Sequence, residues 1–512
     1  MALAANPPVW RLSELLEGLL PWPGGADPQV ASLALDSRGV RSGTLFLACR
    51  GAQSHGLEFA AAAQRAGAVA ILAEPTSDWR LAALDGLAAR LRIPVIAVPG
   101  LARRCSPLAA RFYGEPSRRL EVVGVTGTNG KTSTCHFLAQ ALAGERPCGV
   151  IGTLGVGLPE DLRPMGYTTP DAVSLQRYLA GLEAGGARAA ALEVSSHALE
   201  QGRVEAVRFR QAVFTNLTRE HLDYHGDMVR YGAAKARLFA QPELEWAVLN
   251  RGDPFTDSIL AALPAGVATA LYGLNGDPPP ADTCKLWVGV RALVPTARGL
   301  LLEVVSSVGA GQVEVGVIGR FNAANLLAVL AVLLARGQPL AAALGELAEI
   351  RGVPGRMECF GGKGAPLVVV DYAHTPDALE QALKTVREHA RGRVLTVFGC
   401  GGERDPGKRP LMGAAAERLS DLVILTDDNP RHEDGDAIVA AIRAGMQGAD
   451  AVRIERRRAL AIRLAIALAG RDDVVLVAGK GHETTQDMGE LKVRFSDRAQ
   501  VTQVLRERGN AS

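Results

Sequence analysis

Short apolar runs recur along the chain, each followed by a glycine-bearing turn and then by an alanine- and leucine-rich stretch with helical spacing. Residues 30–40 and 43–51 read as strands with turns, and residues 58–68 as a helix leading into a strand at 69–73. Glycine, proline and charges cluster at 113–119, which marks a boundary before a stronger apolar strand. Beyond it, 120–127 reads as a buried strand and 131–143 as a helix. Further strands fall at 189–196, 211–218 and 247–250, and a long helix at 322–337 closes the region. A third segment opens near 351–359. Its strands at 367–373, 394–402, 422–429 and 473–481 alternate with helices at 375–390, 408–419 and 436–446. Strand–helix alternation of this kind predicts parallel sheets flanked by helices. Three α/β domains follow, with no internal repeat or low-complexity tract.

Length agrees, since 512 residues exceed one ordinary domain. At 48% hydrophobic and 21% charged residues the chain is globular rather than disordered. Its 56 Lys and Arg against 54 Asp and Glu leave a net charge of +2. That balance excludes a general nucleic-acid coat or a membrane-surface protein, but not a local pocket for a polyanion. The seven cysteines form no CxxC pair, so neither a disulfide framework nor a structural zinc site is expected. No basic segment followed by an apolar stretch opens the sequence. The longest apolar run, Leu326 to Ala335, is about half the ~20 residues of a membrane helix. The expectation is a soluble cytoplasmic protein with reduced thiols.

The strongest chemical signal is GVTGTNGKTS at 124–133, between a buried strand and a helix. Glycines let backbone N–H groups converge on phosphate oxygens, and the helix N-terminus adds its positive end. Lys131 would then neutralise phosphates and Thr132 would place a hydroxyl on Mg²⁺. The usual glycine six residues before the lysine is Val125 here, so the loop is a variant. A tight turn with a surface lysine is the plain alternative, and the strand–loop–helix context argues against it. LEVSSH (192–197) and TNLTREHLDYHGD (215–227) place Glu193, Ser195, His197 and a group of acids and histidines after two further strands. Acids at strand ends near a phosphate loop are where Mg²⁺–nucleotide sites collect ligands. Lys235, in the helical stretch YGAAKARLF, reads by itself as a surface lysine. In the third segment GCGG leads to Arg404, TDDNPRHED carries Asp428, Asn429 and Arg431, and AGKGHE carries Glu483. All three loops follow strands, where open α/β sheets bind ligands. Arginines beside acids suit a ligand with both carboxylate and amine groups. Each loop alone could equally be a surface salt-bridge cluster.

These motifs, joined by LDSRGV, GRFNAANLLA, PGRME, DYAHTPDAL and GGERDPGKRP in the same order, resemble the Mur ligases, ATP-dependent amide-forming enzymes of peptidoglycan-precursor synthesis. The resemblance spans nearly the whole chain. It implies a central P-loop parallel-sheet ATPase domain (118–347), an N-terminal UDP-binding α/β domain (1–117) and a C-terminal Rossmann-like α/β domain (348–512). ATP would meet Gly127, Thr128, Asn129, Gly130, Lys131, Thr132 and Ser133, with Asn322, Arg356, Asp371 and His374 as further ATP-side groups. Leu35, Ser37, Ala52, Gln53 and Ser54 match the uridine site, and Thr168, Thr169, Ser195, Gln201 and Arg203 match contacts to the nucleotide-sugar peptide. Thr132, Glu193, His221 and Lys235 match the Mg²⁺ site, Lys235 as a carbamate, which reverses its reading as a surface residue. Arg404, Asp428, Asn429, Pro430, Arg431, Gly479 and Glu483 match the pocket for the incoming amino acid. The implied substrates are UDP-MurNAc-L-Ala-D-Glu and meso-diaminopimelate, with Lys131, Lys235, Glu193 and His221 as catalytic groups. A monomer is expected, with no nucleic-acid partner and no membrane insertion. The rival readings are the same ligase adding L-lysine, a folate polyglutamate synthetase-like ligase, and a nucleotide switch without chemistry.

Overall fold

The computed structural model describes residues 9–20, 22–51, 54–144, 147–296, 299–362, 364–448 and 451–510. The chain divides into two compact units. One runs to Tyr272 and includes Pro280–Leu286; the other holds Gly273–Pro279 and continues from Trp287. Among the described residues no helix is long and apolar enough to cross a membrane.

The first unit opens with a parallel sheet of β1 (Ser32–Ala34), β2 (Thr44–Ala48), β3 (Ala68–Ala73) and β4 (Val95–Ala97), in that order. Every residue of β2 is buried, as in a strand covered on both faces. Leu45 and Leu47 pack with Leu108 and Phe112 of α1 (Leu101–Phe112), while Phe46 packs on the opposite side with Ala60 and Ile71. The 30–40 run, read as a strand with a turn, pairs as a strand over Ser32–Ala34 and then turns. There the Asp36 carboxylate accepts the Arg38 N–H at 2.9 Å and caps a 3-10 turn over Ser37–Gly39. Local aspartate-to-backbone bonding of this kind competes with strand pairing.

The same unit then builds β5 (Glu121–Thr126), α2 (Lys131–Ala141), β6 (Cys148–Gly152), β7 (Ala189–Glu193), α3 (Ser196–Glu200), β8 (Phe209–Phe214), α4 (Met228–Ala236), β9 (Trp246–Asn250) and β10 (Ala268–Tyr272). These strands run parallel in the order β6-β7-β5-β8-β9-β10. The connection from β5 leads to one side and that from β8 to the other, so the strand order reverses between them, where open α/β sheets bind ligands at the carboxyl ends. The ends of β7, β5 and β8 bring Glu193, the turn after Thr126 and the segment after Phe214 to one edge.

In the second unit an antiparallel meander, β11 (Leu286–Pro295), β12 (Leu300–Ser306) and β13 (Gly309–Val315), precedes α5 (Arg320–Ala335). The unit continues through β14 (Glu358–Gly361), β15 (Leu367–Asp371), α6 (Pro376–His389), β16 (Val394–Phe398), α7 (Lys408–Leu419), β17 (Leu422–Leu425), α8 (Gly435–Arg443), β18 (Val452–Ile454), α9 (Arg458–Leu468), β19 (Val474–Ala478) and α10 (Asp497–Asn510). Its sheet runs β14-β15-β19-β16-β17-β18, parallel except for the edge strand β14. Four adjacent strands, β15, β19, β16 and β17, therefore deliver Asp371, Gly479, Cys400 and Thr426 with their following loops to one edge.

Candidate active site

The loop after β5 is shaped by glycines at two places where a side chain has no room or an unsuitable backbone. Gly130 caps α2 in the left-handed region at φ +85°. A Cβ on Gly127, at φ +148°, would fall on Thr215 Oγ1. That close approach ties the loop to the segment after β8. Thr128 N–H donates to Asn216 O at 2.8 Å, Asn129 N–H to Asn216 Oδ1 at 2.9 Å, and Thr215 Oγ1 to Asn129 O at 2.6 Å. Lys131, the first residue of α2, donates to the carbonyls of Gly127 and Thr128, each at 2.8 Å. Thr132 Oγ1 donates to Glu193 Oε2 at 3.0 Å. Thr153 supports the same carboxylate with its backbone N–H at 2.8 Å and its hydroxyl at 3.2 Å. Ser133 is buried in the first turn of α2. The loop residues and Glu193 thus meet at the β5–β7 edge. Thr153 carried no signal in the sequence, because its role depends only on where β6 ends.

Lys235 is no surface residue. It is only 1% exposed on α4, and its Nζ donates to Gly127 O at 2.7 Å, the carbonyl that Lys131 also uses. Burial, reinforced by the neighbouring Lys131 charge, lowers its pKa from 10.5 to about 6. The amine lies 4.4 Å from the ring centre of buried Tyr231, whose hydroxyl is 3.2 Å from Thr128 Oγ1. Tyr231 also faces His221, at 6.2 Å between ring centres. His221 adopts φ +55° just before a short helix, and its ring meets His197 edge-on at 5.1 Å. Behind them His225 bonds Ser196 Oγ at 2.9 Å and lies 3.2 Å from Glu200. Burial lowers the pKa of both His197 and His225. Among the described residues no three His, Cys, Asp or Glu side chains converge as a metal cage.

The Lys235 shift has a measurable consequence. The unfolded chain keeps the lysine proton to near 10.5, whereas the folded protein releases it near 6. Between those values the unfolded state binds more protons, so stability rises with pH. In CO2-free buffer, the stability of the wild type relative to Lys235→Met is expected to climb between about pH 6 and 10, approaching ~1.4 kcal/mol per pH unit. Below that window it should be flat. Denaturant titrations across pH measure this, and a pH-independent difference would contradict a buried, neutral Lys235.

Next to Glu193 lies a hydrogen-bonded chain of the residues expected to meet the nucleotide-sugar peptide. Thr153 Oγ1 is 3.1 Å from Thr168 Oγ1, and Thr169 Oγ1 donates to the Glu193 carbonyl at 2.8 Å. Ser195 N–H donates to Thr169 Oγ1 at 3.0 Å. Arg203 donates to Thr169 O and Gln201 Oε1, each at 2.9 Å, and Gln201 Nε2 to Tyr224 OH at 3.1 Å. Leu35, Ser37 and Ser54 sit instead in turns after β1 and β2, with no hydrogen bond to this chain among the described residues. Ala52 and Gln53 lie outside the described residues.

In the second unit Asn322 is buried on α5, its amide donating to Ile318 O at 2.9 Å. Asp371 accepts Met357 N–H at 2.8 Å, Arg356 stacks over Tyr372 at 5.0 Å, and His374 bonds the Tyr372 carbonyl at 2.7 Å. The remaining strand ends gather the other predicted group. Gly479, at φ +114°, lies where a Cβ would fall on Asp428 Oδ2. Burial raises the Asp428 pKa against the opposing pull of Arg458, which is itself locked to Asp497 in a fully buried pair at 2.7 Å. Arg404 and Arg431 both flank Gly401, and Gly402 N–H donates to Asn429 O at 2.9 Å beside Pro430. Arg431 itself sits at φ +52°, held by its N–H to Asp487 O at 3.1 Å and its guanidinium to Gly402 O. Asn429 Nδ2 donates to Glu483 Oε2 at 2.9 Å. The loops bring guanidinium groups, carboxylates and an amide to one strand edge, a set suited to an amino-acid ligand.

Residues 29–113, 125–333 and 355–481 match, in order, the Mur ligase family catalytic domain, the Mur ligase middle domain and the Mur ligase glutamate ligase domain. The chain belongs to the Mur ligase family. A relative from Alkalilimnicola ehrlichii, named UDP-N-acetylmuramoyl-L-alanyl-D-glutamate--2,6-diaminopimelate ligase, is 51% identical over 98% of this chain and 100% of its own. One of the same name from Xanthomonas campestris pv. campestris is 50% identical over 94% of each chain. A solved structure of a ligase with that name superposes at a TM-score of 0.71, with 32% identity, over 98% of this chain and 100% of the other. In this Mur ligase the matched middle domain holds the glycine-rich loop after β5, Glu193, His221 and Lys235, and the glutamate ligase domain holds Arg404 to Arg431.

Proposed function

We propose that this Mur ligase joins meso-2,6-diaminopimelate to the γ-carboxylate of D-Glu in UDP-MurNAc-L-Ala-D-Glu, with cleavage of ATP to ADP and phosphate. The observation that carries it is the near-complete alignment, at 51% identity, with a relative named for this substrate pair. The γ-carboxylate first takes the γ-phosphoryl group of ATP, giving an acyl phosphate and ADP. The free amine of diaminopimelate then attacks the acyl carbon, phosphate leaves, and the amide forms with loss of a proton. The difficulty of the first step is electrostatic, because two anions must approach. Lys131 and the N-terminus of α2 offset that repulsion, and the hydrogen-bonded Thr168–Arg203 chain orients the peptide.

A divalent cation fits the residues present. The Glu193 carboxylate and the Thr132 hydroxyl, 3.0 Å apart, are hard oxygen donors of the kind Mg²⁺ takes, and His221 would complete the protein side. When bound, Mg²⁺ would neutralise charge on the phosphate oxygens. Lys235 suits carbamylation. Its largely neutral amine can add to CO2 to give an N-carboxylate with release of one proton, turning a neutral amine into an anionic oxygen donor. Cytoplasmic localisation follows from a nucleotide-linked precursor and ATP as substrates.

Phosphate release tests the reading. Rapid release is expected only when ATP, UDP-MurNAc-L-Ala-D-Glu and meso-diaminopimelate are all present. A slow rate indifferent to both co-substrates would mark a nucleotide switch and overturn the proposal.

A further inference from the structure

Lys480 stands out in the second unit as a fully buried lysine, with 0% exposure, that no step above uses. Its ammonium is not paired with a distant structural acid. Nζ donates to Asn429 Oδ1 at 2.9 Å and to Glu483 Oε2 at 2.7 Å, two residues expected to touch the incoming amino acid. Asn429 Oδ1 also accepts the Asp487 N–H at 2.9 Å. Both donors fix the amide oxygen on the inner side, so the amide NH2 points to Glu483 Oε2 at 2.9 Å and keeps one N–H to spare. Glu483 Oε2 is thereby occupied twice, while Oε1 takes no hydrogen bond among the described residues. Burial alone would raise the Glu483 pKa, but the bonds and charge of Lys480 with the Asn429 bond lower it overall, so the carboxylate stays ionised.

We propose that Lys480 is a positioning residue for the amino-acid substrate. It holds Asn429 and Glu483 so that one amide N–H and one carboxylate oxygen remain, a donor and an anionic acceptor set side by side. That pair matches the carboxylate and ammonium of one amino-acid end. Without Lys480 the Asn429 amide oxygen keeps only the Asp487 N–H, so the amide is held less firmly, and Glu483 Oε2 loses its cation. Among the described residues the Lys480 ammonium hydrogen-bonds only these two side chains, so its effect on the substrate passes through them. The inference rests on the ligase reading above.

The test compares wild type, Lys480→Met, Asn429→Ala and the double variant, with KM determined separately for meso-diaminopimelate, UDP-MurNAc-L-Ala-D-Glu and ATP. Lys480→Met is expected to raise KM for diaminopimelate on the order of 10²-fold and to leave the other two within about threefold. The double variant should lose little more than the worse single variant, since both act through one group. A general structural defect would instead raise all three KM values together or give additive losses, and either result overturns the proposal. Should Lys480→Met not fold, Lys480→Gln carries the same measurement, and an unchanged diaminopimelate KM in a folded variant rejects the role. A wild type that does not use diaminopimelate at all would refute the ligase reading instead, which separates the two failures.

Discussion

Replacing Lys131 with alanine is expected to lower kcat roughly 10²–10³-fold while the fold persists. The lysine begins α2, and its Nζ lies within 2.8 Å of the Gly127 and Thr128 carbonyls, at the carboxyl end of the central strand β5. On the proposed role, charge would move across this spot as the γ-phosphoryl group passes to a carboxylate. A cation fixed there stabilises the transition state more than the ground state, so its loss falls on kcat. The loop does not depend on Lys131 for its shape. Asn129 and Thr128 are tied to Asn216, and Gly127 O still receives Lys235. Circular dichroism should therefore match the wild type, with turnover measured at saturating ATP. Near-normal turnover would remove Lys131 from the reaction.

Arg431→Ala is expected to raise KM for meso-diaminopimelate on the order of 10²-fold and to leave that for UDP-MurNAc-L-Ala-D-Glu almost unchanged. Meso-diaminopimelate differs from L-lysine by one carboxylate at its far end, so selection needs a cation where lysine offers nothing. Arg431 adopts the left-handed backbone, uncommon for a side chain of its size, and two bonds hold it there, from its N–H to Asp487 O and from its guanidinium to Gly402 O. The remaining guanidinium N–H groups can take a carboxylate in a fork. With lysine bound, that fork would be left without its anion, an asymmetry that discriminates strongly against the shorter analogue. Arg431→Lys should rescue little, because an ammonium cannot reproduce the two-pronged geometry. Initial-rate measurements with each substrate varied in turn check both variants.

The parts of the site that local chemistry dictates were legible in the sequence. A glycine-rich turn between an apolar strand and a helix has few uses, and Lys131, Thr132 and Glu193 lie where that pattern put them. The strand-end groups Asp428, Asn429, Arg431 and Glu483 were visible for the same reason. Their convergence follows from the strand order β15-β19-β16-β17. Lys235 was not legible from spacing. A lysine among alanines on a short helix looks solvated, and its burial depends on Gly127 and Tyr231, distant or unremarkable in the sequence. Only the family resemblance pointed to it. Lys480 and Thr153 were missed because each acts on another side chain across strands. The turn within the 30–40 run was legible because Asp36 bonds its own backbone right after the strand. The β11–β13 meander was overlooked because β13 is mostly exposed and lacks a clear apolar face.

The most direct test of the central claim is a competition at equal concentrations of meso-diaminopimelate and L-lysine, with ATP, Mg²⁺ and UDP-MurNAc-L-Ala-D-Glu, read by product mass. The expected product carries diaminopimelate almost alone, with ADP and phosphate formed in equal amounts. Comparable lysine and diaminopimelate products, or no adduct despite ATP cleavage, would contradict it.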